Sequence, residues 1–210
     1  MRFESIIWDW NGTLLNDVDI SVYSINQLLS DRNLELLTKE KYLDVFTFPV
    51  QDYYEMIGFD LNVEPFEIPA FQYITIYNDA VQQCGLHQEA IPLLRRLRQA
   101  GYRQFILSAM EQQYLEKTVK ANDIHLYFED LIGLSDNYAV SKIENGMSLI
   151  NKRGLHPDTT LLIGDTIHDF EVAQAIGCNC VLIANGHQSK ERLMTTGTQV
   201  LDRLDQIEFL

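Results

Sequence analysis

From Gly85 onward the sequence alternates short apolar runs with amphipathic runs of about ten residues. The apolar runs predict strands at 103–107, 131–134, 159–163, 180–184 and 199–201. The amphipathic runs predict helices at 87–100, 111–121, 141–153 and 167–176. This alternation favours right-handed crossovers between parallel strands. We therefore expect an α/β fold with a mainly parallel sheet and helices on both faces.

Residues 16–83 lack this alternation and predict only helices, with Asn16 or Asp17 as the first N-cap and Thr38 as the second. Pro65 and Pro69 bracket the start of a longer helix over about 70–84. The segment holds 12 acidic against three basic residues, and 11 of the 22 aromatic residues of the chain. It is either a helical bundle with an aromatic core and an acidic surface, or a lid whose aromatic side chains close over a small substrate. Such a lid offers few cations to a highly charged anion.

The apolar run at 6–8 predicts a first strand, and it ends in a polar cluster of Asp9, Asn11, Gly12 and Thr13. A buried carboxylate at a strand end is costly unless a cation or hydrogen bonds compensate it. Gly12 lets the backbone approach a ligand closely. The alternative is an Asp–Asn–Gly turn that leaves the strand without binding anything.

The run at 159–163 ends similarly in Gly164 and Asp165, and Asp169 follows in the first turn of a helix. Because the carboxyl ends of parallel strands meet at one edge of a sheet, we expect Asp9, Asp165 and Asp169 to converge. Three converging carboxylates repel one another unless a divalent cation lies among them, and their hard oxygen atoms suit Mg²⁺. For Asp169, favourable charge at a helix N-terminus is the alternative explanation.

Four parts of the chain resemble, in order, the motifs of the haloacid dehalogenase superfamily. They are Asp9-Trp10-Asn11-Gly12-Thr13, the strand-terminal Ser108, Lys142, and Gly164-Asp165-x-x-x-Asp169. The helical insertion is similar to the helical C1-type cap of the phosphoglycolate phosphatase-like branch. The resemblance implies a Rossmann-like core domain at 1–15 and 84–210, and a helical cap domain at 16–83.

The resemblance implies a Mg²⁺-dependent phosphatase that acts on a small phosphorylated metabolite. Asp9 would attack phosphorus and form an aspartyl-phosphate, which water then hydrolyses. The metal would be held by Asp9, the backbone carbonyl of Asn11 and Asp165. Asp169 would be a further ligand or an outer hydrogen-bond acceptor.

The resemblance also implies how the phosphoryl group is bound. Ser108 and the amide of Ala109 would donate hydrogen bonds to it, and Lys142 would neutralise its charge and orient Asp9. Lys142 is a weak match by itself, because an exposed lysine at a helix start has the same sequence signal. Lys120 and Lys152 are its rivals.

Further substrate contacts are expected from Gly12 and Thr13 of the first motif and from Phe48. Phe48 lies in the segment 46–49, where Pro49 and two phenylalanines predict a stiff loop. Packing inside the helical segment is the alternative role for this loop.

One position departs from the family pattern. Asn11 stands where family phosphatases usually carry an aspartate that protonates the leaving oxygen and later activates water. An amide cannot do this, and loss of acid–base help costs about 10²- to 10⁴-fold in rate. A leaving group of low pKa would need no acid. Alternatively, His168 or a side chain of the cap would take over this role. The alternatives are a phosphonate hydrolase or dehalogenase of the same superfamily, or a non-catalytic regulatory protein that binds a phosphate ligand.

The formal net charge of −14 argues against a nucleic-acid partner or an anionic membrane surface. No apolar run reaches the length of about 18 residues that a membrane span needs. The N-terminus lacks the apolar core of a signal peptide, so we expect a cytoplasmic protein. The sequence leaves the oligomeric state open.

Overall fold

The computed structural model describes residues 3–135 and 142–208. Within these residues six strands form one sheet in the order β3-β2-β1-β4-β5-β6, and every neighbouring pair is parallel. The strands are β1 (Ser5–Trp8), β2 (Arg103–Glu111), β3 (Asp130–Leu134), β4 (Thr160–Gly164), β5 (Asn179–Ile183) and β6 (Gln199–Leu201). The predicted α/β, Rossmann-like fold is confirmed.

Nine α-helices lie within the described residues, and four of them fall between β1 and β2 in the segment 16–83. These four are α1 (Val18–Asp31), α2 (Lys39–Val45), α3 (Val50–Met56) and α4 (Glu67–Val81). The others are α5 (Ala90–Gln99), α6 (Gln112–Ala121), α7 (Lys142–Arg153), α8 (Ile167–Ala175) and α9 (Lys190–Met194). Helices α1 to α3 pack around their own aromatic cluster, which includes Tyr42, Tyr53 and Tyr54. The division into core and cap domains stays a prediction.

Strand β1 is the centre of the sheet, and its four residues are buried. Ile6 and Trp8 pack in one hydrophobic cluster and Ile7 in another, as expected for a strand with helices on both sides. Trp8 is paired with Ile106 of β2 and Ile163 of β4. This register brings the carboxyl ends of three strands to one edge, which is where the polar clusters follow.

Several predicted boundaries differ from the structure. Strand β2 continues to Glu111 instead of ending at Ser108, because the chain resumes pairing with β3 after a register shift beyond Leu107. Helix α4 begins at Glu67, three residues before its predicted start at 70. Pro69 is tolerated there because the first turn of a helix needs no backbone donor.

Helix α7, predicted over 141–153, is described from Lys142, and residue 141 lies outside the described residues. Within the described part of the chain, no helix combines the length and the apolar character that crossing a membrane requires.

Candidate active site

Three carboxylates converge at the carboxyl edge of the sheet. Asp9 follows β1, Asp165 follows β4, and Asp169 lies in the first turn of α8. One oxygen of each lies within 4.8 Å of one oxygen of both others, and the three residues are at most 7% exposed. The structure therefore brings together the three acids that the sequence marked as metal ligands.

Lys142 lies among these acids. As the first residue of α7 it donates hydrogen bonds from Nζ to Oδ1 of Asp9 and, at 2.5 Å, to Oδ1 of Asp169. Its side chain is 4% exposed, whereas those of Lys120 and Lys152 are 66% and 70% exposed. Of the three candidate lysines, Lys142 is therefore the one that binds the carboxylates of Asp9 and Asp169.

Asp169 is held mainly by its own helix. Its Oδ2 accepts hydrogen bonds from the backbone and hydroxyl of Thr166 at 3.0 and 2.7 Å, which completes a capping box with Thr166 as N-cap. The same oxygen accepts the Asp165 amide at 3.2 Å. Asp169 therefore has the helix-start role that its position suggested, and it also binds Lys142.

Asp165 is fixed by contacts from two loops. Oδ1 accepts a hydrogen bond from the Thr13 hydroxyl at 2.7 Å, and Oδ2 accepts the amide of His187 at 2.6 Å. A Cβ on Gly12 would lie 2.3 Å from Oδ2 of Asp165, and one on Gly186 would lie 2.1 Å from it. These two glycines make room for the carboxylate.

The electrostatics of this cluster fit a divalent cation. Burial raises the pKa of Asp9 well above its ordinary value, despite the opposing charge of Lys142. Burial likewise raises the pKa of Asp165 to about 6. For Asp169, Lys142 outweighs burial and lowers the pKa. The surroundings of Asp9 and Asp165 thus contain too little positive charge to offset their carboxylates. A cation bound by these oxygens would supply that charge.

Asn11 is engaged through both ends of its side-chain amide. Nδ2 donates hydrogen bonds to Oδ2 of Asp17 at 3.0 Å and to the Tyr77 hydroxyl at 2.7 Å. Oδ1 accepts a hydrogen bond from the hydroxyl of Ser108 at 3.3 Å. Ser108 is fully buried and also accepts the Met110 amide at 3.0 Å. Its predicted contact with a phosphoryl group stays a prediction.

Asp17 has a role that its sequence position did not indicate. It precedes α1, but its side chain makes no capping hydrogen bond. Its Oδ1 accepts a hydrogen bond from the backbone amide of Gly12 at 2.7 Å and lies 3.3 Å from Nε2 of His187. Its Oδ2 accepts hydrogen bonds from the side-chain amide of Asn11 and from the hydroxyl of Tyr77. The pKa of Asp17 is lowered because the charge of His187 and these hydrogen bonds outweigh burial.

His187 connects this network to the helical segment. Burial alone would lower its pKa, but Asp17 and the neighbouring carboxylates raise it to about 9. Its Nδ1 lies 2.9 Å from the hydroxyl of Tyr42 in α2. The sequence motifs did not indicate a role for this histidine, which lies in the loop after β5.

A cavity of about 170 Å³ opens beside the carboxylates. Asp9, Asn11, Lys142, Ala109 and Phe48 line it, so five of the predicted site residues share one space. The ring of Phe48 also stacks on His168 at 4.7 Å between ring centres. The predicted substrate contacts Gly12 and Thr13 are both buried beside Asp165, and their role stays a prediction.

A comparison with models of known protein families identifies the family of this chain. The family model of haloacid dehalogenase-like hydrolases matches residues 6–183, which span all four motifs. The chain belongs to the haloacid dehalogenase-like hydrolase family.

Relatives with assigned names agree with that family. The hydrolase is 24% identical to a phosphoglycolate phosphatase of Aliivibrio fischeri, over 98% of this chain and 93% of the relative. It is 22% identical to the pyrophosphatase PpaX of Anoxybacillus flavithermus over 93% and 90% of the two chains. It is 23% identical to a 5′-nucleotidase of Pseudomonas aeruginosa over 92% and 88%.

Solved structures share the fold of this hydrolase. A predicted phosphatase from Clostridium acetobutylicum superposes with a TM-score of 0.84 at 16% identity, covering 99% of this chain and 97% of the other. A haloacid dehalogenase-like family hydrolase from Streptococcus pneumoniae gives 0.75 at 18% identity, covering 98% and 96%. At these sequence identities the structural similarity shows a shared fold and nothing more.

Proposed function

We propose that this hydrolase is a Mg²⁺-dependent phosphatase that releases inorganic phosphate from a small phosphorylated metabolite. The observation that carries the proposal is the cluster of Asp9, Asp165 and Asp169 with Lys142 at the wall of the cavity. The names of the three relatives, all of which describe removal of phosphate, support the same reaction class. Residues 16–83 would act as a cap that closes the cavity.

Asp9 would be the nucleophile. Its Oδ1 is bound by Lys142. Among the described residues its Oδ2 makes one long contact, 3.4 Å from the Thr13 hydroxyl, so this oxygen is the one that would attack. The oxygen would form a bond to phosphorus while the bond to the leaving oxygen breaks. Water would then attack the aspartyl-phosphate and regenerate the carboxylate. Lys142 would hold Asp9 in place and offset the charge that builds up.

The metal would be held by Asp9, Asp165 and the Asn11 carbonyl, with Asp169 as ligand or outer acceptor. A bound Mg²⁺ supplies positive charge to the phosphoryl oxygens. The chain itself positions the ligands, because Thr13 and the His187 amide fix Asp165, and Thr166 fixes Asp169. Asn11 offers an amide that is already hydrogen-bonded, so general acid–base help is absent at this position.

The test is release of inorganic phosphate from a panel of phosphomonoesters with Mg²⁺ and with a chelator. We expect release that requires Mg²⁺, loss of at least about 10³-fold in Asp9→Asn, and no effect in Asp52→Asn, an exposed carboxylate of α3. Absence of release from every ester would overturn the proposal. Tight phosphate binding without turnover would then favour the regulatory protein, and cleavage of phosphonates or haloacids would favour the other hydrolases.

A further inference from the structure

Among the described residues that line the cavity, Lys142, His187 and His168 could carry positive charge, and each of them faces a carboxylate. Lys142 is bound to Asp9 and Asp169, and His187 faces Asp17. No arginine is among the described residues that line the cavity, and Glu111 adds another carboxylate to its wall. Since a phosphoryl group already needs the available positive charge, a leaving group with its own carboxylate or phosphate would face carboxylates without an unpaired cation to offset its charge.

Much of the remaining wall of the cavity is aromatic and apolar, with polar positions at Ser21, Asn78, Thr166 and His168. The helical segment contributes Phe46, Phe48, Tyr73 and Ile74, and β2 contributes Met110. The volume of about 170 Å³ is close to the roughly 150 Å³ that accommodates a benzene ring in a protein interior. The space therefore suits a small group such as one planar ring next to the phosphoryl site.

The polar groups near the phosphoryl site are not free to protonate a leaving oxygen. Asn11 has an amide in place of an acid. Both oxygens of Asp17 accept hydrogen bonds, from Gly12 on one side and from Asn11 and Tyr77 on the other. Both ring nitrogens of His187 face protein partners, and Glu111 accepts two backbone amides at the start of α6. Asn11, Asp17, His187 and Glu111 are therefore not placed to give the leaving oxygen a proton. His168 also lines the cavity, with Nδ1 3.4 Å from Glu171, and it is tested separately below.

These three features converge on one substrate class. We propose that the substrates are phosphate monoesters of uncharged, single-ring phenols, an inference that rests on the proposed phosphatase function. The ring lies against Phe48 and Tyr73, and the phenolic oxygen leaves as the anion. Asp9 forms its bond to phosphorus, the electron pair of the P–O bond goes to the phenolate, and the phenolate takes a proton from solvent. The oxygen of a water molecule then bonds to phosphorus while the bond between phosphorus and the Asp9 oxygen breaks. The electron pair of that bond restores the Asp9 carboxylate, and the protons of water remain with phosphate and solvent.

Matched substrates test the proposal on the wild-type enzyme with Mg²⁺. Phenyl and benzyl phosphate share a ring but differ in the basicity of the leaving oxygen, and we expect kcat/KM to favour phenyl phosphate by at least about 100-fold. 4-Methylphenyl and 4-carboxyphenyl phosphate differ in charge, and we expect the methyl compound to be favoured by at least about tenfold. Equal rates within either pair would overturn the proposal while leaving the phosphatase function intact. Absence of release from all four, with release from another ester of the panel, would also overturn the proposal, whereas absence of release from every ester would refute the phosphatase function.

Two variants separate the missing acid from the shape of the cavity. The double variant Asn11→Asp, Asp17→Asn should raise kcat/KM for benzyl phosphate relative to kcat/KM for phenyl phosphate by at least about tenfold. Equal gains for both esters would contradict the proposal. His168→Gln is the companion variant, because His168 also lines the cavity. A selective loss of benzyl phosphate hydrolysis would identify this histidine as an acid and overturn the proposal.

Binding gives a readout that does not depend on turnover. Phenylphosphonate and 4-carboxyphenylphosphonate can be titrated by calorimetry into wild type and Phe48→Leu. We expect phenylphosphonate to bind at least about tenfold more tightly than its carboxylated analogue, and Phe48→Leu to weaken it about three- to tenfold. Stronger binding of the carboxylated compound would show that the cavity does provide a cation, against the proposal.

Discussion

The side-chain amide of Asn11 donates a hydrogen bond to the buried carboxylate of Asp17 across 3.0 Å. The same nitrogen donates to the hydroxyl of Tyr77, which in turn donates to Asp17. An aspartate at position 11 has no hydrogen to donate and would place a second carboxylate against Asp17. The residue that departs from the family pattern is therefore matched to a neighbour, and the two positions form a unit.

Asn11→Asp should lower the free energy of unfolding by about 2–3 kcal/mol at pH 8, because two buried carboxylates then face each other. The paired carboxyls would have a raised pKa in the folded protein. A carboxyl group with a raised pKa has no effect on protein stability below its unfolded pKa, and it lowers that stability as pH rises from the unfolded to the folded pKa. The deficit should therefore shrink at pH 5. Urea unfolding at both pH values measures it.

The control is the double variant Asn11→Asp, Asp17→Asn, which restores one donor and one acceptor between the two positions. It should recover most of the stability that the single variant loses. A single variant as stable as wild type at pH 8 would show that the Asn11–Asp17 hydrogen bond has no such role.

The strand-end acids could be predicted because their signal is local. An apolar run of strand length followed at once by Asp9 or Asp165 fixes where the carboxylate lies relative to the strand. Parallel pairing then brings Asp9 and Asp165 to one edge. The fold and the acidic half of the site follow from such short-range patterns.

The polar network could not be predicted in the same way. Asp17 carries the sequence signal of an N-cap, yet its carboxylate binds Tyr77 and His187, which lie 60 and 170 residues away in the chain. These contacts depend on how α4 and the loop after β5 pack against the start of α1. The end of β2 is a similar case, since the pairing of Glu111 with Leu134 resumes beyond the polar Ser108.

Lys142 should be essential for stability as well as activity. Lys142→Met leaves Asp9 and Asp169 buried without their shared cation, so we expect the free energy of unfolding to fall by about 3–5 kcal/mol. Lys152→Met is the matched control on the same helix, where the side chain is 70% exposed, and it should change stability by less than about 0.5 kcal/mol. Denaturant unfolding in a chelator compares the two. Equal stability of both variants would mean that Lys142 is not needed to offset the carboxylates.

Gly186 should be needed for metal binding because of its contact with Asp165. A Cβ at this position would lie 2.1 Å from Oδ2 of Asp165, so Gly186→Ala must displace the carboxylate or the loop. We expect Mg²⁺ affinity to fall about 10- to 100-fold and stability to fall by about 1–3 kcal/mol. Gly85→Ala is the control, since a Cβ added at Gly85 would have no heavy atom within 4 Å apart from those of its chain neighbours. Calorimetric titration with Mg²⁺ measures the affinity, and unchanged affinity in Gly186→Ala would contradict the expectation.

The amide at Asn11 should also be visible in the time course of a single reaction. Departure of a phenolate needs no acid, whereas hydrolysis of the aspartyl-phosphate needs a water molecule that loses a proton, and Asn11 cannot accept it. The second step should therefore limit turnover of phenolic esters. Mixing the enzyme with 4-nitrophenyl phosphate should give a burst of about one nitrophenolate per active site, followed by a slower steady rate.

The slow rate should be the same for phenyl and 4-nitrophenyl phosphate, because both pass through the same aspartyl-phosphate on Asp9. In the double variant Asn11→Asp, Asp17→Asn, an acceptor for the proton of water is present, so the second step should accelerate and the burst should shrink. Stopped-flow absorbance measures both quantities. The opposite outcome is a time course that is linear from the first turnover, with a steady rate that rises as the leaving group becomes more acidic. Formation of the aspartyl-phosphate would then be the limiting step, and the amide at position 11 would not set the rate of its hydrolysis.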